Sequence, residues 1–146
     1  MVGLLWGRPQ PGGLGSAAIA LGEGHVGALV ALNAAGTVRD PDTGDWLTGA
    51  PDPTGATPFP RQQTTLAVVA TDLPLSAPQL QTVARMAAAG LARTLYPAFS
   101  PVDGDVVFAL STSPGEGDTA AVGAVGHAAA QALARAITDL VRQTPV

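Results

Sequence analysis

Two apolar runs separated by a tight turn begin the regular part of the chain. Residues 15–33 read GSAAIALGEGHVGALVALN, and the central GEG is typical of a turn between two strands. Apolar residues in each run are continuous rather than alternating, a pattern that favours strands covered on both faces. The pattern therefore predicts a β-hairpin inside a layered domain.

A polar stretch separates this hairpin from a third strand and a helix. Residues 36–63 are crowded with Pro, Gly, Asp and Thr, which predicts a long loop. TTLAVVAT at 64–71 is short, β-branched and apolar, as expected of a strand. Ser76 and Gln79 have the spacing of a capping box, and apolar residues at helical spacing predict a helix over 77–95.

The remaining chain alternates once more between strand and helix. VVFALST at 106–112 predicts a strand between two glycine-containing turns, and residues 119–143 predict a second helix. The order β-β-loop-β-α-β-α indicates one α/β domain in which helices pack outside sheets.

Composition narrows the classes of function. The chain has 146 residues, of which 47% are hydrophobic and 12% charged, so a large buried core or buried interface is expected. Seven basic residues and a net charge of −4 argue against a nucleic-acid partner. The chain has no cysteine and two histidines, which excludes thiolate chemistry and makes a metal centre unexpected. We therefore predict neither a cofactor nor a metal.

The sequence also contains no pattern that indicates a membrane or export. No segment has the length and apolarity of a transmembrane helix. The start, MVGLLWGRPQPGG, has no basic region ahead of its apolar residues. These features predict a cytoplasmic protein without a membrane partner.

Thr64 and Thr65 stand where the predicted loop meets the third strand. The simpler interpretation is that they open the strand, since threonine is a good strand former. Alternatively one hydroxyl is a nucleophile, because no other nucleophile and base are recognisable as a pair. If the bond before a threonine is cut, its own α-amine, with an ordinary pKa of about 7.7–8, can serve as the general base.

Five segments carry a resemblance to a known family. GGLGSAAIAL, VGALVALNAAG, TTLAVVATDLPL, MAAAGLART and DGDVVFALST occur in this order between Gly12 and about Thr112. Together they resemble the C-terminal half of the DmpA-type peptidases, which include β-peptidyl aminopeptidases, D-aminopeptidases and endo-type nylon-oligomer hydrolases. The resemblance implies an N-terminal-nucleophile hydrolase that cuts its own precursor. It also implies a four-layer α/β/β/α sandwich, of which this chain would be a partial domain.

The same resemblance implies where the precursor is cut. The cut would fall between Gln63 and Thr64, with Thr64 as the nucleophile. Residues 1–63 would then be the end of the larger α chain, and residues 64–146 would form the β chain.

The resemblance further implies roles for three polar side chains. Asn33, in VALNAAG, matches the side chain that stabilises the oxyanion. Asp103 and Asp105, in DGD, match an acidic pair that orients the nucleophile. Without the family, Asn33 would be interpreted as a residue that ends a strand, and Asp-Gly-Asp as a turn.

The expected activity is hydrolysis of short peptides or small amides. The expected partners are a missing N-terminal half or a complementary chain, and further copies in a homo-oligomer. One alternative is an acyl transferase similar to ornithine acetyltransferases. The other is a truncated family member that acts only as an assembly piece, which is favoured by Pro11 where the nylon-hydrolase branch carries a lysine.

Overall fold

The computed structural model describes residues 1–52, 54, 63–101 and 103–144. After a single 3-10 turn at Leu4–Trp6, the elements in chain order are β1 (Gly13–Leu21), β2 (Gly24–Leu32), β3 (Thr37–Val38), β4 (Leu66–Thr71), α1 (Ala77–Thr94), β5 (Leu95–Tyr96), β6 (Val106–Ser111) and α2 (Thr119–Gln143).

The main sheet has four strands in the spatial order β1-β2-β4-β6. β1 and β2 form an antiparallel hairpin, and β2 pairs antiparallel with β4. β4 and β6 pair in parallel, and α1 lies in the connection that such a pair requires. The first residue of β4, Leu66, therefore lies between Ala31 near the end of β2 and Val106 at the start of β6.

Both helices cover the same face of this sheet and pack against each other. Their buried stripes contact the inward side chains of β2 and β4 in a single core. Small residues let the helices approach closely, since a Cβ at Gly90 of α1 would come within 2.5 Å of the Ala130 carbonyl oxygen of α2. The core residues include Val26, Val30, Val69, Val83, Ala87, Leu91, Leu133 and Ile137.

The regular elements predicted from the sequence are confirmed. The hairpin, the two later strands and both helices occupy the expected stretches, although the first helix ends at Thr94. The capping box is present, and Gln79 Oε1 accepts a hydrogen bond from Ser76 N at 3.0 Å. Hydrophobic periodicity and the helix cap, which are local features of the sequence, are therefore sufficient to predict these elements.

The predicted loop over 36–63 is wrong in its first part. β3 pairs with β5, and the hydroxyl oxygens of Thr37 and Thr48 lie 2.5 Å apart in a buried contact. Asp40 is also buried, and its carboxylate accepts a hydrogen bond from the Arg142 guanidinium. These polar groups are satisfied within the fold, which lets a polar sequence adopt a compact structure. Residues 53 and 55–62 of the predicted loop lie outside the described residues.

The second face of the sheet is uncovered by the part of the chain that the structure describes. Its apolar side chains form rows across the strands, since Leu29 is the register partner of Val68, which in turn pairs with Phe108. The expectation that both faces are covered is therefore wrong for the described residues, which form one sheet layer and one helix layer. The exposed large side chains on this face are Leu14, Leu29, Leu66, Phe108 and Leu110.

Candidate active site

The sequence-predicted site residues gather at one end of the main sheet. Asn33 follows β2, Thr64 precedes β4, and Asp103 and Asp105 precede β6. Because β2 runs antiparallel to β4 and β4 runs parallel to β6, these three strand ends share one edge of the sheet. We call this edge, defined by these four residues, the site end.

The peptide bond between Gln63 and Thr64 is held by backbone contacts from both sides. Thr64 N donates a hydrogen bond to the Asn33 carbonyl oxygen at 3.0 Å. The Gln63 carbonyl oxygen accepts from Gly104 N at 2.9 Å and from Thr64 Oγ1 at 2.6 Å. The hydroxyl of Thr64 thus lies against the carbonyl group of the bond that the sequence predicts to be cut.

The structure separates the two adjacent threonines by exposure. Thr65 is fully buried and its side chain faces the helices, whereas Thr64 is only partly buried. Thr64 is therefore the hydroxyl of the pair that a reactant could approach.

Asp105 fastens the start of β6 to two neighbouring segments. Its Oδ1 accepts a hydrogen bond from Thr65 N at 2.9 Å, and its Oδ2 accepts from Phe99 N at 3.0 Å. Phe99 has a φ of 53°, in the left-handed region that is unusual for a non-glycine residue. Asp105 thus ties the backbone beside Thr64 to a strained turn.

Asp103 is the most perturbed carboxyl group of the site end. Its Oδ2 accepts a hydrogen bond from Ala35 N at 3.0 Å, while its Oδ1 is buried with no hydrogen-bond partner among the described residues. Burial, with a smaller contribution from the negative charge of Asp105, raises the pKa of Asp103 to about 6. A carboxyl group with this pKa can hold or release a proton near neutral pH.

Asn33 is exposed at the end of β2. Its side-chain oxygen accepts a hydrogen bond from the Met1 ammonium group at 3.1 Å. Within the described ranges no hydrogen bond from its amide nitrogen is found, and its backbone carbonyl oxygen accepts the hydrogen bond from Thr64 N.

Sequence reasoning missed the contribution of Gly104. The DGD motif was interpreted as a turn or as an acidic pair, yet the glycine between the carboxylates donates its N–H to the Gln63 carbonyl. A Cβ at this position would lie 2.7 Å from Thr64 Oγ1, so only glycine fits here without displacement. A glycine between two carboxylates, two residues before a strand, is the signal that could have identified it.

Other features of the described residues lie away from this cluster. A cavity of about 530 Å³ on the helix side is lined by Asp40, Arg93 and Arg135 among others, and contains none of the predicted site residues. The described ranges hold no cluster of three or more metal-ligating side chains. Neither described helix combines the length and apolarity needed to cross a bilayer.

The mixed α/β fold thus brings a threonine, an asparagine and two aspartates together at the site end. The model of peptidase family S58 matches residues 10–144, which is nearly the whole chain. The chain therefore belongs to peptidase family S58, in agreement with the resemblance found in the sequence.

Curated relatives carry aminopeptidase names. An uncharacterised aminopeptidase of Mycobacterium tuberculosis is 41% identical, over 86% of this chain and 46% of its own length. Another from Mycobacterium leprae is 39% identical, over 86% of this chain and 43% of its own length. The chain thus spans just under half the length of the curated relatives it matches.

Solved structures share the fold. A protein of Pyrococcus horikoshii superposes with a TM-score of 0.62 at 27% identity, covering 87% of this chain and 38% of that one. A β-aminopeptidase of a Burkholderia species superposes with a TM-score of 0.62 at 25% identity, covering 88% and 41%.

The description of a third solved structure names the fold to which it belongs. The L-aminopeptidase D-Ala-esterase/amidase of Ochrobactrum anthropi, described as a variant of the Ntn hydrolase fold, superposes with a TM-score of 0.63 at 24% identity, covering 88% of this chain and 39% of that one. The chain is therefore a partial domain of this fold, which agrees with the uncovered face of its sheet.

Proposed function

We propose that this chain carries the nucleophile of a self-processing, aminopeptidase-like amide hydrolase that acts on short peptides or small amides. Cleavage between Gln63 and Thr64 would give Thr64 a free α-amine. The observation that carries the proposal is the contact of the Thr64 hydroxyl with the Gln63 carbonyl oxygen at 2.6 Å. Membership of a peptidase family with aminopeptidase-named relatives supports the reaction class.

In the proposed reaction, Thr64 Oγ attacks the carbonyl carbon of the substrate while the Thr64 amine takes the hydroxyl proton. The carbonyl oxygen becomes an oxyanion, which Asn33 Nδ2 stabilises by donating a hydrogen bond. The amine then gives the proton to the leaving nitrogen, and water releases the acyl group from Thr64. The nitrogen that would become this amine already donates a hydrogen bond, as a peptide N–H, to the Asn33 carbonyl oxygen.

The two carboxyl groups would orient and tune the nucleophile. Asp105 fixes the backbone beside Thr64 through Thr65 N. Asp103, with its pKa raised to about 6 by burial, supplies a group that can exchange a proton close to the reacting atoms.

The uncovered sheet face supports the proposed partners. A contiguous row of exposed leucine and phenylalanine side chains is uncommon on an isolated domain and marks an interface. We expect the missing half of the fold, supplied by a longer or a complementary chain, to cover it, and we retain homo-oligomerisation as a further proposal. The same face is compatible with a second candidate, a non-catalytic assembly piece.

Mass spectrometry of the purified 146-residue chain separates these two candidates. The hydrolase proposal expects a fragment that begins at Thr64, and complete loss of that fragment in Thr64→Ala. Thr65→Val is the matched control, because it alters the neighbouring hydroxyl and leaves the proposed nucleophile intact. An uncut wild-type chain would favour the assembly piece, and an equally cut Thr64→Ala chain would refute the assignment of the nucleophile.

A further inference from the structure

The carbonyl group of Gln63 already has a fixed hydrogen-bond donor on its oxygen. Gly104 N lies 2.9 Å from this oxygen, and two residues further along Val106 N donates to the Thr65 carbonyl at 3.1 Å. Gln63 and Asp103 form a parallel bridge in the same register. The hydrogen bonds between β4 and β6 thus continue past both strands, up to the peptide bond that the proposed function requires to be cut.

We propose that the Gly104 N–H is the oxyanion donor of the self-cleavage step. This inference rests on the proposed function, since it concerns the reaction that would expose the Thr64 amine. An N–H group that is held by a sheet needs no reorganisation when negative charge develops on the oxygen to which it is bonded. The ladder would therefore stabilise the transition state as well as the strand pair.

The chemical step is an acyl shift from nitrogen to oxygen. Thr64 Oγ forms a bond to the Gln63 carbonyl carbon, and the carbonyl oxygen takes the electron pair as an oxyanion bonded to Gly104 N–H. The bond from that carbon to the Thr64 nitrogen then breaks, and the hydroxyl proton ends on this nitrogen. Water hydrolyses the resulting ester, which leaves a carboxylate on Gln63 and restores the Thr64 hydroxyl beside a free amine.

Gly104 also leaves the space that the nucleophile occupies. A Cβ at position 104 would lie 2.7 Å from Thr64 Oγ1 and 3.6 Å from Thr64 Cβ. The first distance is well below van der Waals contact, so any larger residue would displace the hydroxyl. The glycine therefore combines a donor for the oxyanion with room for the attacking oxygen.

An amide-to-ester replacement tests the donor without adding an atom. Glycolic acid at position 104 exchanges the N–H for an oxygen in the otherwise unchanged 146-residue chain. We expect fragment formation to slow by about 10²–10³-fold, the range found for loss of one oxyanion donor. The readout is the rate at which the fragment that begins at Thr64 appears by intact mass.

The matched control is the same replacement two residues further along. The α-hydroxy analogue of valine at position 106 removes the N–H that donates to the Thr65 carbonyl, so it weakens the same ladder away from the Gln63 carbonyl. This control is expected to cleave within about threefold of wild type. Equal slowing by both esters would assign the effect to strand pairing and overturn the inference.

Gly104→Ala provides a second test that keeps the N–H. It is expected to slow cleavage because its methyl group displaces the Thr64 hydroxyl. Cleavage at the wild-type rate in the 104 ester would overturn the inference and leave the proposed function standing. The wild-type rate in Gly104→Ala would overturn the claim that glycine is needed to leave room for the attacking oxygen. A wild-type chain that stays uncut would overturn self-processing, and this inference with it.

Discussion

The two ends of the same sheet differ in how completely their polar side chains are hydrogen-bonded. We call the end opposite the site end the hairpin end, defined by His25, Thr71, Asp72 and Ser111. There Asp72 Oδ1 accepts a hydrogen bond from His25 N at 2.6 Å, and Ser111 Oγ donates to the Leu73 carbonyl at 2.7 Å. Thr71 Oγ1 donates to the His25 carbonyl at 2.9 Å. Polar groups at this end are hydrogen-bonded to nearby backbone.

Among the residues that the structure describes, three side-chain oxygens at or next to the site end are buried without a hydrogen-bond partner. They are Thr65 Oγ1, Ser100 Oγ and Asp103 Oδ1. Each such group costs about 1–3 kcal/mol of stability. Folds tolerate such costs chiefly in and around functional sites.

One carboxyl group at each end has a shifted pKa, and the two shifts have opposite directions. Hydrogen bonds from His25 lower the pKa of Asp72, which is exposed to solvent. Burial, together with the nearby charge of Asp105, raises the pKa of Asp103. The hairpin end therefore stabilises the charged form of Asp72, whereas burial at the site end favours the neutral form of Asp103.

Removing one carboxylate from each end should give the largest difference in stability between the two ends. Asp105→Ala leaves the N–H groups of Thr65 and Phe99 without their acceptor, so we expect a loss of about 2–3 kcal/mol in the free energy of unfolding. Asp72→Ala removes an exposed carboxylate and should have a much smaller effect. Urea denaturation at pH 7.5 measures both. Equal losses would remove the distinction between the two ends.

The pH dependence of stability should have opposite signs at the two ends. The pKa of Asp103 is about 6 in the folded chain and 3.8 ordinarily, so the folded state binds the extra proton and is destabilised as pH rises through this interval. Asp72, whose pKa is lowered, instead stabilises the fold above its ordinary pKa and loses this contribution as pH falls.

Asp103→Asn isolates the contribution of the site end. Asparagine keeps an acceptor for Ala35 N and cannot ionise. With allowance for solvent screening, its stability relative to wild type should therefore rise by about 1–2 kcal/mol between pH 4 and pH 7. Asp72→Asn is the control and should not show this rise. A constant difference between Asp103→Asn and wild type would show that Asp103 is not perturbed by folding.

Most of the helices and strands could be predicted from the sequence because their determinants are local. The capping box at Ser76 and the apolar spacing over 119–143 each depend on residues within a few turns. β3 could not be predicted, since two residues form a strand only because β5 lies beside them. The burial of Asp40 likewise depends on Arg142, which is distant in the sequence.

The candidate site could be predicted only in part. Residue types and the family resemblance indicated Thr64, Asn33, Asp103 and Asp105, and the strand order explains why they meet. The roles of these residues stay predictions. The contact between Gly104 N and the Gln63 carbonyl depends on the register of a parallel pair, which no local pattern in the sequence specifies.

Making the same substitution at both ends of β4 compares the two ends of the sheet with the smallest expected change in stability. Thr65 immediately precedes β4 and Thr71 ends it, and both are buried on the face that the helices cover. Thr65→Val replaces an unpartnered hydroxyl with a methyl group of similar shape, so we expect stability to be unchanged or to rise by about 1 kcal/mol. Thr71→Val removes a hydroxyl that donates to the His25 carbonyl and accepts from Leu73 N, so a loss of about 1 kcal/mol is expected.

Thermal unfolding of the two valine variants, beside wild type, measures this difference in sign. Because the chain, the strand and the substitution are the same, only the hydrogen-bond partners of the two hydroxyls distinguish the variants. Thr65→Val should also leave formation of the Thr64 fragment unchanged, since its hydroxyl has no proposed part in the reaction. A loss of stability in Thr65→Val as large as that in Thr71→Val would mean that the Thr65 hydroxyl is hydrogen-bonded in the folded chain. The two ends of the sheet would then not differ in the hydrogen bonding of these two hydroxyls.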